Sequence, residues 1–371
     1  MRFLEELKNL DWFLLGVVFL IQVIGAVAVY SATYTGHPSP LFYKHLISIG
    51  LFWLVVFLIS IERFENILEV SLYIYLANVF LLILVLLYGV EVKGAKRWIN
   101  LGFINLQPSE LMKFSLILLS AYLLPLIKGV KDRRLLLLML IYAIPAVITL
   151  KQPDLGTAGA YFVPLVFMLI VRGIPLRYFA FAGILFIALS PLLWKYFLKP
   201  YQKQRILAVL DPYSYYYESG YQLIQSKIAI GSGMLFGKGI LNGTQTHLLF
   251  LPEKHTDFIF AVIGEELGFL GTATLTILFF LLLLRILNYY KKFQRLSEEV
   301  FAAGVFSIIL FHFGVNTLMT MGYFPVVGIP LPFVSMGGSA MLSYGLMIGL
   351  LQSIYKKYKN PYLMEKEPVY E

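Results

Sequence analysis

The sequence predicts an all-α polytopic membrane protein of about ten transmembrane helices, with one large extracytoplasmic loop between helices seven and eight. Three observations carry that prediction. Of 371 residues, 59% are hydrophobic and only 14% charged, against about 45–50% and about 25% in soluble domains, so there are too few charges to cover a water-facing surface. Apolar runs of spanning length recur along the chain. Aromatic residues reach 16%, as aromatic belts at the two membrane interfaces require. The absence of Cys excludes thiol nucleophiles, Cys-ligated metals and disulfide scaffolds. The net charge of +9 is scattered rather than striped, which speaks against a nucleic-acid partner.

The first run, 12–33, is about 22 residues without a charge or a small-residue cleavage site, and reads as a membrane helix rather than a cleaved signal. Further runs fall at roughly 46–61, 66–90, 110–127, 135–150, 155–171, 178–194, 258–284, 300–324 and 336–355. With the N-terminus inside, the alternating inner segments hold 17 Lys and Arg, from Arg2 to Lys366. The short outer loops hold 5, namely Lys44, Lys93, Lys96, Arg97 and Lys151. The positive-inside rule therefore predicts both termini on the cytoplasmic side. The whole chain, 1–371, reads as a single membrane domain, and 195–257 as its large outer loop. That loop is rich in Tyr; Tyr221–Ile230 has helical periodicity suited to the membrane surface, and the glycines from Gly231 to Gly243 mark turns without phosphate-loop spacing.

Ionisable groups at membrane depth are costly and point to function. Four clusters qualify, all at predicted outer helix ends. In Glu253-Lys254-His255-Thr256-Asp257, the carboxylate of Asp257 fits a general base; it fits equally an N-cap shared with Thr256. His255 is an alternative base, and Glu253, His255 and Asp257 together form a weak divalent-cation pattern. Glu265 lies about 80° round the following helix from Asp257 and Glu266 about 180°, so only Glu265 shares that face. In Pro108-Ser109-Glu110-Leu111-Met112-Lys113 the three polar side chains line one face, and read either as a self-neutralising Glu110–Lys113 pair or, with Arg97, as a cationic pyrophosphate pocket. Lys151-Gln152-Pro153-Asp154 is another polar helix entry with Asp154 as N-cap. The Pro- and Gly-rich stretch 324–339, which includes Ser335, implies non-helical backbone lining a groove. His312 and Asn316 read as core hydrogen-bonders.

These motifs together resemble the SEDS family (shape, elongation, division and sporulation). The matching stretches are Gly94-Ala95-Lys96-Arg97-Trp98-Ile99, Gln107-Pro108-Ser109-Glu110 with Lys113, Lys151-Gln152-Pro153-Asp154-Leu155-Gly156-Thr157, His255-Thr256-Asp257 with Glu265-Glu266, and Pro330-Leu331-Pro332-Phe333-Val334-Ser335 with Gly337-Gly338-Ser339. The resemblance implies a peptidoglycan glycosyltransferase that polymerises lipid II on the outer face of the bacterial inner membrane for cell elongation. It implies a class B penicillin-binding protein transpeptidase and other elongation-complex membrane proteins as partners, and assigns the essential carboxylate to Asp257. Arg97 and Lys113, with Lys151, would stabilise the departing pyrophosphate; Glu110, Ser109 and Asp154 would support them. Trp98, Glu253, His255, Glu265 and Ser335 would line or brace the site. A divalent cation (Mg or Mn) could share the pyrophosphate work, although the sequence has no dedicated ligand cage. A lipid II flippase is the alternative, but it needs polar groups along a translocation path, whereas the embedded charges here gather at outer ends. A pure scaffold leaves those outer cations and Asp257 without a role.

Overall fold

The computed structural model describes residues 6–92, 95–100, 105–248 and 250–359. Arg2, Lys93, Gly94 and Lys366, used above, lie outside the described residues. Fifteen helices follow one another among them: α1 (Trp12–Thr33), α2 (Pro40–Ile61), α3 (Phe64–Glu69), α4 (Ser71–Tyr88), α5 (Pro108–Leu123), α6 (Arg133–Lys151), α7 (Leu155–Ala160), α8 (Phe162–Val171), α9 (Leu176–Leu192), α10 (Pro200–Leu210), α11 (Tyr221–Ser232), α12 (Thr244–His247), α13 (Ile259–Tyr290), α14 (Leu296–Thr320) and α15 (Gly338–Lys359). Every apolar run is helical. Eight of the described helical segments are long and apolar enough to cross a membrane. The α7–α8 stretch is shorter, and α15 is amphiphilic, ending in Lys356, Lys357 and Lys359.

Local chemistry moves several boundaries. α2 starts at Pro40, earlier than its apolar run, because Ser39 caps it by accepting from the Phe42 amide and Pro40 suits the first turn. The 66–90 run is two helices with a break at Val70. Between α4 and α5 the chain forms a small antiparallel sheet that the helical reading missed, in the order β1 (Val90–Val92), β2 (Ala95–Asn100), β3 (Asn105–Leu106), with Val90 opposite Trp98 and Ile99 opposite Leu106.

In the bundle, α15 lies along α2, α1 along α13, and α14 against α5, α8 and α13. One end is tied by ion pairs. Asp11, at the start of α1, accepts from Arg285 Nε and Tyr289 Oη of α13, each at 2.6 Å, while Glu65 accepts from Arg295 and from Lys357 of α15. The start of α1 and the ends of α13 and α15 therefore share one face, and Asp257, before the start of α13, belongs to the opposite one. α9 stands apart: none of its residues is buried.

The segment between α9 and α13 is not a loose loop. α11 packs on α13, and Ser226 donates to the carbonyl of Thr320 at 2.6 Å, so this helix is docked on the bundle rather than only resting on a membrane surface. The turns after it plug a break in α13 at Gly268 (φ 66°, ψ −160°), where the Phe269 and Leu270 amides lose their helical acceptors and donate instead to the carbonyls of Met234 and Leu235 at 2.8 and 3.1 Å. A Cβ at Gly268 would lie 2.3 Å from the Gly237 nitrogen. Glycine is needed there both for its left-handed conformation and for the close approach.

Candidate functional site

Asp257 is half-buried. Its place is set by main-chain contacts rather than by capping: α13 begins at Ile259 with Phe258 at the cap position and no side chain capping it. The N-cap reading of Asp257 and Thr256 is thereby corrected; Thr256 Oγ1 donates backwards, to the carbonyl and Oε2 of Glu253 at 3.2 and 3.1 Å. The strap 324–337, non-helical as expected, wraps over this turn. Met336 N donates to the His255 carbonyl (3.0 Å), Ser335 Oγ to the Thr256 carbonyl (2.6 Å) and the Leu331 amide to Ser335 Oγ (2.8 Å). Asn316 Nδ2, from α14, donates to the carbonyls of Asp257 (2.9 Å) and Ile329 (2.8 Å), so one amide fixes turn and strap together.

Two cationic elements reach the same strap. Gly328 (φ 70°) faces the carboxylate, such that a Cβ there would stand 3.5 Å from Asp257 Oδ2. One residue earlier, the Val327 carbonyl touches the α7 turn, 2.7 Å from where a Cβ of Gly156 would be. That turn carries Arg97, whose guanidinium donates to the carbonyls of Gln152 (3.0 Å) and Pro153 (2.5 Å) and pairs with Asp154 at 3.4 Å. Asp154 caps α7 as expected, accepting from the Thr157 amide at 3.1 Å. Arg205, from α10, donates to the Val326 carbonyl at 3.0 Å. Arg205, the α7 turn that Arg97 holds, and Asp257 thus meet the strap at Val326, Val327 and Gly328 in turn. Trp98 is half-buried in β2, and Lys151 is exposed at the end of α6.

The remaining candidates stand elsewhere. Lys113 is 3% exposed, and its ammonium bonds both oxygens of Glu110 (2.8 and 2.7 Å) with His312 Nε2 at 3.4 Å. His312 Nδ1 in turn meets Tyr344 Oη at 2.8 Å. The self-neutralising pair, not an open cationic pocket, is what folds here. It lies beneath Asp257: His312 and Asn316 are one turn apart on α14, one touching Lys113 and the other holding Asp257. Ser109 is buried, and its carbonyl accepts from Tyr161 Oη at 3.2 Å.

Glu265 does not join Asp257. It is wholly buried and receives Lys238 Nζ (2.8 Å), Thr244 Oγ1 (3.2 Å), the Gln245 and Thr246 amides (2.8 and 3.0 Å) and Thr246 Oγ1 (2.8 Å). Glu266 accepts from Ser31 at 2.6 Å. Glu265 thus binds the segment before α13 to that helix, and Glu266 binds α1 and, through His247 Nε2 at 3.4 Å, the same segment. Burial holds the Lys254 ammonium below the usual lysine range, against the pull of Glu266 and Glu265.

Among the described residues no three His, Asp or Glu side chains gather as a metal site, so Glu253, His255 and Asp257 do not form one. Arg205 was missed because the long loop reads as a unit too long for topology counting.

The fold and this site at one end of the bundle define a polytopic membrane protein built around a strap-covered aspartate. The chain matches the FtsW, RodA and SpoVE cell cycle protein family over residues 7–360, and belongs to it. It is 41% identical over 293 residues to the peptidoglycan glycosyltransferase MrdB of Escherichia coli, covering 77% of this chain and 78% of that one. It is 31% identical to the peptidoglycan glycosyltransferase RodA of Treponema pallidum, over 95% and 98% of the two chains. A chain of a solved peptidoglycan synthase complex that coordinates polymerization and crosslinking superposes with a TM-score of 0.79 at 34% identity, over 94% and 98% of the two chains. The crystal structure of the rod shape determining protein RodA of Thermus thermophilus gives 0.71 at 28%, over 94% and 97%.

Proposed function

We propose that this chain is a peptidoglycan glycosyltransferase that polymerises lipid II into β-1,4 glycan strands for cell-shape control, with Asp257 as general base. The observation that carries the reading is the geometry around the strap: a half-buried carboxylate whose backbone is fixed by Asn316, beside a strap that Arg205 bonds directly and that packs on the turn held by Arg97. In the reaction the acceptor sugar 4-hydroxyl attacks the donor anomeric carbon, the bond to the lipid pyrophosphate breaks with inversion, and the hydroxyl proton passes to Asp257. Negative charge then grows on the departing pyrophosphate. Arg97 and the exposed Lys151 are the groups assigned to meet it, and Asp154 orients Arg97. Glu110, Lys113 and Ser109 act from beneath by fixing α5 against α14. Glu253, His255 and Ser335 shape the turn that carries Asp257, Trp98 braces the Arg97 strand, and Glu265 holds the outer segment in register. A divalent cation would share the charge of the pyrophosphate; among the described residues no three His, Asp or Glu side chains gather to hold one.

The site belongs on the outer face of the inner membrane, with both termini cytoplasmic, as the distribution of Lys and Arg favours. A class B penicillin-binding protein is the transpeptidase partner, with other elongation-complex proteins around it. The lipid tails enter at the edge of the bundle beside α9, which buries none of its own residues. The test is to supply purified lipid II to the full-length protein in proteoliposomes with its transpeptidase partner, and to follow glycan product and transbilayer movement separately. The proposal expects glycan strands. Movement of lipid II without strands would make the protein a flippase.

A further inference from the structure

The turn 128–131 between α5 and α6, the turn 172–175 between α8 and α9 and the start of α9 border an open cavity of about 380 Å³ at the bundle end opposite Asp257. Lys128, Lys131, Arg172 and Arg177 line it. Arg133 and Arg134 adjoin it in sequence, and Asp132 is the one acidic residue in either turn. Asp132 offsets only part of this charge, acting on Lys128 and Arg134. It caps α6, accepting from the Lys128 and Arg134 amides at 2.9 Å each. No salt bridge joins the four lining cations to a carboxylate among the described residues. Arg172 is directed at main-chain carbonyls, those of Leu124 (2.9 Å) and Ile127, which hold the turn but cancel no charge. Arg177 lies over the Tyr178 ring at 5.2 Å.

The positive-inside rule accounts for basic residues on this side of the bundle, but it does not require them to share a cavity. Elsewhere on the same end several cations have a carboxylate partner, Arg285 in Asp11, Lys357 in Glu65 and Glu298, and Lys356 in Glu6, while Lys359 meets main-chain carbonyls and Lys292 the Tyr355 ring. Like charges crowded around a cavity repel one another unless an anion neutralises them. The cavity opens where α9 begins, and Leu176 (68% exposed) and Phe181 (66%) make that helix an apolar wall facing lipid. An anion with two acyl chains fits both features, since the head group would meet the cations and the chains would run along α9.

We propose that this cavity is a binding site for the phosphodiester head group of an anionic phospholipid, separate from the site around Asp257. Lys128, Lys131 and Arg177 are exposed and would contact the phosphate directly, while Arg172 adds its charge and keeps the turn in place. The experiment is native mass spectrometry of the full-length protein from detergent, with phosphatidylglycerol or phosphatidylcholine added. It compares the wild type, the combined variant Lys128→Gln, Lys131→Gln, Arg177→Gln, and the charge-keeping Lys128→Arg, Lys131→Arg. The expected result is one retained phosphatidylglycerol at about 10-fold preference over phosphatidylcholine. The preference should vanish in the Gln variant, persist in the Arg variant, and fall as salt rises. Millimolar inorganic phosphate should not displace the lipid. Equal retention of the two lipids by the wild type, or full retention of phosphatidylglycerol by the Gln variant, would overturn the proposal. Displacement by inorganic phosphate would reassign the site to a soluble phosphate and overturn the lipid reading. A melting temperature within a few degrees of wild type certifies that the Gln variant is folded; if it melts early, the single Lys131→Gln carries the comparison, with weakened preference as the expected result and unchanged preference as the contrary one.

Discussion

Asp257 and Glu265 stand eight residues apart on one stretch of chain, and the fold treats them in opposite ways. Glu265 is wholly buried, with five donors around its two oxygens: an ammonium, two amides and two hydroxyls. Such a carboxylate cannot take a proton without releasing the segment it holds. Asp257 is fixed through its carbonyl by Asn316, half-open at its side chain and faced by a glycine. The difference separates a carboxylate closed in by the segment it holds from one left half-open at its side chain. Membrane depth and charge, which the two share, do not distinguish them; burial does.

The comparison can be broken in four places. Asp257→Ala should lower the polymerisation rate by on the order of 10²–10⁴-fold, the range for losing a general base, with the melting temperature unchanged; a collapse of folding would make the residue structural. Glu265→Ala should do the reverse, costing roughly 1–3 kcal/mol of stability by leaving two amides and a half-buried ammonium without their acceptor, which a thermal melt in detergent reads directly. Asn316→Ala leaves two carbonyls without their donor and should cost about 1–3 kcal/mol, with a fall in kcat larger than any change in KM for lipid II, because the aspartate is displaced rather than the substrate. The smallest effect is at Asp132. The Lys128 and Arg134 amides hold its carboxyl below the usual aspartate range. Its contribution is therefore present above the unfolded aspartate pKa and is lost as pH falls through the lower folded value. Hydrogen exchange at the two amides should accelerate relative to neighbouring sites only in that acidic window.

Much of this was legible in the sequence. Composition and run length give the helical membrane fold, and the apolar runs are helical, those at 66–90 and 155–171 in two pieces each. The cap at Asp154, the Glu110–Lys113 pair and the non-helical strap follow from local rules about helix entries, i, i+3 neighbours and Pro-rich backbone. What could not be read depends on contacts distant in sequence. Glu265 shares a helical face with Asp257 only if the helix is considered alone; the turn 244–246 captures it instead. The break at Gly268 shows only when the carbonyls of Met234 and Leu235 arrive to replace its lost acceptors. The sheet from Val90 to Leu106 is short, and its Val-Glu-Val alternation was the one signal available. Lys113 looked accessible because nothing local indicates that His312, on a helix far along the chain, covers it.

The most direct test of the central claim is glycan-strand synthesis by the purified full-length protein with its transpeptidase partner, crosslinking blocked, comparing wild type with Asp257→Asn. Asparagine keeps the size and the main-chain contacts and removes only the basicity. The account predicts strands from the wild type and none from the variant, with lipid II bound equally by both. Strands from the variant at more than about a tenth of the wild-type rate would contradict it, since a true general base contributes at least about 100-fold.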